Sequence, residues 1–121
     1  MLASVAVLGD GAWGTALSLL LARDPARRVT LWSAREENGK LLRERRENVR
    51  LLPGVSIPSS VHLTTDAATA IEGAELWVVA IPTIYLRPTL ARFAATASRA
   101  PVLSLTKGLT MTQRGYKASG R

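Results

Sequence analysis

The chain is 121 residues long, 47% hydrophobic and 21% charged, the profile of one soluble globular domain or of part of a larger protein. It has no cysteine and a single histidine, His62, which excludes disulfides, thiolate nucleophiles and histidine-built metal sites. The net charge of +7 gathers at one end, because residues 107–121 hold Lys107, Arg114, Lys117 and Arg121 with no acid.

Taken in order, residues 2–8 (LASVAVL) are apolar enough for a buried strand and too short for an independent helix. Residues 12–23 are rich in Ala and Leu and predict a helix, stopped by Asp24-Pro25. Residues 29–32 predict a second strand, and residues 34–47 a polar helix. The segment NVRLLPGVSIP, residues 48–58, reads as a loop punctuated by Pro53, Gly54 and Pro58. A short strand is expected at 61–64, which places His62 on an edge or surface strand. Thr65-Asp66 is a fair N-cap for a helix over 67–72 that Gly73 ends. Residues 76–81 (LWVVAI) predict a second strongly buried strand. A helix over 87–98 is expected with Arg87-Pro88 at its start, and a last strand over 102–105. Residues 110–121 are polar and basic without apolar periodicity, and are expected to be a disordered or non-native tail.

Strands alternating with helices predict an α/β fold: a Rossmann-like, doubly wound, mostly parallel sheet with helices on both faces. The domain is expected to cover residues 1–109. No signal peptide or membrane span is expected, so the cytoplasm is the default location. The alternating charges of RERRENVR (43–50) read as a solvated helix face. Without a stacking set of aromatics or a nucleic-acid motif, neither a nucleic acid nor a membrane is expected as partner.

Between the first strand and the first helix lies GDGAWGT, residues 9–15. Its glycines fit G-x-G-x-x-G, the dinucleotide fingerprint, in the context that fingerprint requires. Gly9 suits the tight turn, Gly11 the close approach of a pyrophosphate, and Gly14 close packing of helix on strand. The amides opening the helix then face the phosphates. After the second strand, where NAD-preferring folds place an acid for the ribose hydroxyls, the chain reads LWSAREE (31–37). Arg35 suits a 2′-phosphate and tilts the cofactor slightly towards NADP, whereas Glu36 or Glu37 suits NAD. Both cofactors remain open.

GDGAWGTAL, followed by VTLW, REN at 46–48, LLPGVSIP at 51–58, VVAIPT at 78–83 and TKG at 106–108, resembles the NAD(P)-dependent glycerol-3-phosphate dehydrogenases. The resemblance implies the cofactor-binding part of an oxidoreductase. That enzyme interconverts dihydroxyacetone phosphate and sn-glycerol 3-phosphate by hydride transfer, a step supplying glycerophospholipid synthesis, and works as a homodimer. It places Ala12 and Trp13 at the pyrophosphate and Arg35 at or beside the adenosine ribose. Pro82, Thr83 and Tyr85 fall by the nicotinamide half, and Lys107 contacts both cofactor and substrate. The family's catalytic lysine and its helical substrate domain lie outside these residues, so this chain alone is expected to be inactive. Asp10 departs from the small residue usual between the first two glycines, and its carboxylate is expected to point away from the phosphates. Two other readings are a related dehydrogenase of small hydroxy acids or sugar phosphates, and a non-catalytic nucleotide-binding module.

Overall fold

The structure is a computed structural model describing residues 3–93, 101–104 and 110–112. In chain order its elements are β1 (Ser4–Leu8), α1 (Ala12–Leu21), β2 (Arg28–Trp32), α2 (Glu36–Arg45), β3 (Glu47–Asn48), β4 (Leu52–Ser56), β5 (Val61–Thr64), α3 (Ala67–Ile71), β6 (Leu76–Val79), α4 (Thr83–Ala91), β7 (Val102–Ser104) and β8 (Thr110–Thr112). The main sheet has the order β5-β2-β1-β6-β7-β8. All its pairs are parallel except β7 with β8.

The two apolar runs become neighbouring central strands, with Val5 opposite Leu76 and Leu8 opposite Val79. Strands buried on both faces need no polar alternation, and for that reason they read as continuous apolar sequence. The period of two divides β1 between two cores. Val5 and Val7 join a cluster with Leu42 of α2, packed by Leu17 and Leu21 of α1. Ala6 and Leu8 join one with Ile71 of α3 and Leu86 of α4. Helices therefore cover both faces, as the alternation predicts.

The sheet order has a functional consequence. From β1 the chain moves outward through β2 to β5, then returns to β6 on the other side of β1. The crevice beyond the carboxyl ends of β1 and β6 is a topological switch point, where open α/β sheets bind their ligands.

Four expectations are corrected. The polar helix spans 36–45 rather than 34–47, because Arg46 turns left-handed at φ 51. That conformation is unfavourable for a non-glycine residue. Arg46 is held by its guanidinium, which donates to the carbonyls of Pro58 and Val61. Residues 48–58 are not simply a loop, since β3 and β4 pair there as an antiparallel hairpin with Gly54 at φ 84. The next helix begins at Thr83 after Pro82, leaving Pro88 inside α4 rather than at its start. There the proline removes one helical bond, that to the Ile84 carbonyl in the exposed first turn. Finally, residues 110–112, read as part of a polar tail, form β8 against β7. A sheet-edge strand needs no apolar run to pair. His62 is exposed on edge strand β5, as expected.

Asp66 caps α3 through bonds from the Thr69 hydroxyl and backbone N–H, the latter at 2.9 Å. These bonds, the hydroxyl's first, hold its pKa below the ordinary value of 3.8. A carboxylate with a lower folded than unfolded pKa stabilises the fold fully above the unfolded value, and this is lost as pH falls through the folded one. Asp66→Asn is expected to lower Tm at neutral pH and to shrink that deficit below about pH 4. A deficit unchanged down to pH 2, followed by circular dichroism, would contradict the cap.

Candidate functional site

The three fingerprint glycines do different jobs. Gly9 lies at φ 126, and a Cβ there would sit 2.3 Å from the Ala80 carbonyl oxygen. At Gly14 a Cβ would sit 1.9 Å from the carbonyl oxygen of Gly9. Both are required by the protein's own packing: Gly9 where β1 turns beside β6, Gly14 where α1 lies against that turn. Gly11 is different. Its backbone, at φ −69 and ψ −174, suits any residue, and a Cβ would meet nothing within 4 Å. The space in front of Gly11 is not used by the fold.

Gly11 is also the N-cap of α1, with no side-chain cap and no acid in the first turn. The first helical bond runs from the Thr15 N–H to the Gly11 carbonyl at 2.9 Å. The N–H groups of residues 12–14 therefore open the helix without helical acceptors. Unfilled donors at the positive end of a helix dipole make an anion site. Ala12 and Trp13 are exposed there, the indole at 79%.

The loop is braced from three sides. Gly9 N–H donates to the Trp32 carbonyl at the end of β2 (3.0 Å), and Ala80 N–H donates to the Leu8 carbonyl (2.9 Å). The third brace was not singled out from sequence. Asn48, buried in β3, donates its side-chain amide to the Asp10 carbonyl (2.8 Å) and the Thr15 hydroxyl (2.9 Å). Its own side-chain carbonyl accepts from Leu51 N–H at 3.2 Å. Asn48 thus fixes the loop through one carbonyl and one hydroxyl of α1's opening. Its signal lay in two motifs read separately, GDGAWGT and the N-x-x-x-L-P-G that begins at Asn48.

The other predicted residues flank this loop. Arg35 is the exposed N-cap of α2 just beyond β2, and its guanidinium bonds no other described residue. Glu36 and Glu37 follow in the first turn of α2, with the Glu36 carboxylate accepting from the Thr65 hydroxyl. On the other side, Pro82 is the exposed N-cap of α4, Thr83 its first residue, and Tyr85 lies 53% exposed one turn in. The switch point therefore brings together Gly9, Gly11, Ala12, Trp13 and Gly14, with Arg35 on one flank and Pro82, Thr83 and Tyr85 on the other. Lys107 lies outside the described residues. Among those residues, no group of three or more His, Cys, Asp or Glu side chains is placed to hold a metal ion. No helix among them is long and apolar enough to cross a membrane.

The sequence pattern of the family described as "NAD-dependent glycerol-3-phosphate dehydrogenase N-terminus" matches residues 4–118. The chain belongs to this family. It is 46% identical over 104 residues to the glycerol-3-phosphate dehydrogenase (NAD(P)+) of Dechloromonas aromatica, covering 86% of this chain and 31% of that protein. The namesake from Thermus thermophilus is 45% identical over 116 residues, covering 93% and 34%. Among solved structures, glycerol-3-phosphate dehydrogenase from Coxiella burnetii superposes with TM-score 0.74 at 27% identity, over 84% of this chain and 32% of that one. The Plasmodium falciparum enzyme gives 0.74 at 29%, over 87% and 32%. The chain thus spans about a third of the length of the curated relatives it matches. Over that stretch the solved relatives share the doubly wound sheet expected from the sequence.

Proposed function

We propose that this chain is the part of a glycerol-3-phosphate dehydrogenase that holds NAD(H) or NADP(H), with the pyrophosphate on the first turn of α1. The observation that carries the reading is Gly11, whose Cβ position is open at an uncapped helix N-terminus on the switch point. The residues present fit the group. Backbone amides at 12–14 supply donors, Gly11 leaves room for the phosphates, and Arg35 stands where the adenosine ribose would lie. Bound there, the nicotinamide supplies the hydride exchanged between dihydroxyacetone phosphate and sn-glycerol 3-phosphate.

What these residues do is bind and orient. Asn48 and the Trp32 carbonyl fix the phosphate loop, while Pro82, Thr83 and Tyr85 border the nicotinamide half. Lys107, just past β7, is proposed to meet both cofactor and substrate phosphate through its compact cation. Proton transfer and most of the substrate's grip are assigned to the remaining two thirds of the relatives' length, since hydride transfer needs an alcohol held in place and a general acid/base. The whole enzyme is proposed to be a cytoplasmic homodimer serving glycerophospholipid synthesis.

The test separates binding from turnover. By calorimetry the 121-residue chain should bind NADH or NADPH. It should give no loss of absorbance at 340 nm that depends on dihydroxyacetone phosphate. Absence of dinucleotide binding would overturn the reading, and turnover by this chain alone would overturn the division of labour.

A further inference from the structure

The peptide that joins Asp10 to Gly11 has an orientation that Gly11 cannot fix by itself. A residue with a Cβ is largely confined to negative φ, whereas glycine takes either sign at little cost. Half a turn of this peptide would carry Gly11 from φ −69 into the positive range, and no Cβ opposes it. What holds the peptide is Asn48, from the hairpin. The Asp10 carbonyl accepts from the Asn48 side-chain amide at 2.8 Å and from the Thr15 hydroxyl at 3.3 Å. The same amide donates to that hydroxyl at 2.9 Å, which closes a ring of three groups. Thr15 and Asn48 are both buried, so water does not compete for these bonds. At its other end the Asn48 oxygen accepts from the Leu51 N–H, which fixes the amide's donor end towards Asp10.

A trans peptide is planar, with its C=O and its N–H on opposite sides. Drawing the Asp10 carbonyl towards Asn48 and Thr15 therefore turns the Gly11 N–H away from them. That N–H has no acceptor among the described residues. We infer that Asn48 is a positioning residue for dinucleotide binding: by pinning the Asp10 carbonyl it holds the Gly11 N–H outward as a fourth donor to the pyrophosphate, beside those of residues 12–14. The inference rests on the dinucleotide reading above and deepens it. Turned over, the same peptide would offer the phosphates a carbonyl oxygen, an acceptor facing an anion. The Asn48 brace thus decides the sign of this contact, and it ties the hairpin to the cofactor without any hairpin residue touching it.

The test follows the backbone amides of the 15N-labelled chain by NMR while NADH is added. NADH should move the Gly11 amide proton downfield along with those of Ala12, Trp13 and Gly14, as bonds to an anionic acceptor do. Asn48→Ala removes the brace. Asn48→Asp keeps its shape and an acceptor for the Leu51 N–H, but faces the Asp10 carbonyl with an oxygen. In each, NADH affinity should fall at least about tenfold, the size of one charge-assisted contact. The Gly11 shift should be lost while the β1 and β2 resonances show the sheet intact. A merely structural Asn48 would lower Tm, yet leave NADH affinity within about twofold and the Gly11 shift in place, and that result would overturn the inference. Should both variants fail to fold, the unaltered chain decides: NADH that moves the amides of 12–14 and leaves Gly11 still would also overturn it. NADH that moves none of residues 11–14 would instead strike at the dinucleotide reading itself.

Discussion

Gly14→Ala is expected to unfold much of the domain at temperatures where the unaltered chain is folded. The added methyl would begin 1.9 Å from the Gly9 carbonyl oxygen; Cβ is fixed to its Cα and the oxygen is backbone, so neither can swing aside. Gly9 is itself pinned, through its N–H to the Trp32 carbonyl and by its close approach to Ala80. Relief therefore requires α1 to move off the sheet, separating Leu17 and Leu21 from the core they cover. Overpacking of this kind costs about 3 kcal/mol or more, a large share of the roughly 5–15 kcal/mol that holds a domain together. Tm should fall by roughly 10 °C or more. Gly9→Ala should be comparably damaging, combining a positive φ with a 2.3 Å approach to the Ala80 carbonyl. A Gly14→Ala chain melting within about 2 °C of the parent would show that helix and turn are not packed as described.

Much of this architecture was legible in the sequence, for identifiable reasons. LASVAVL and LWVVAI stand out because parallel strands covered on both faces must be apolar at every position. The glycine spacing located the switch-point loop between strand and helix. The hairpin was hidden because two prolines and a glycine in LLPGVSIP carry the same local signal in a loop as in a short edge pair. Pro88 misled because proline marks helix starts far more often than second turns. The brace from Asn48 to Asp10 spans 38 residues and leaves no local trace. Arg92 behaved likewise: in sequence it falls midway along the helix expected over 87–98, and only the packing of α4 towards β2 brings its guanidinium to the Ala34 carbonyl.

Spacing alone also could not divide the glycines between fold and ligand. At Gly11 nothing in the protein forbids a side chain, so Gly11→Val should fold with only a modest loss, about 1 kcal/mol for a poorer N-cap. Its isopropyl group would instead occupy the open space proposed for phosphate oxygens in front of the uncapped amides at 12–14. Losing several charge-assisted bonds from backbone N–H groups should weaken dinucleotide binding by at least about a hundredfold. The contrast with Gly14→Ala is the signature of the account: one glycine whose replacement costs binding, another whose replacement costs the fold. Calorimetric titration of NADPH into the unaltered chain and Gly11→Val, with circular dichroism of both, measures this directly. Matching spectra are expected, with saturable binding by the unaltered chain and no detectable heat with Gly11→Val. Equal affinity in two equally folded chains would contradict the placement of the pyrophosphate on α1.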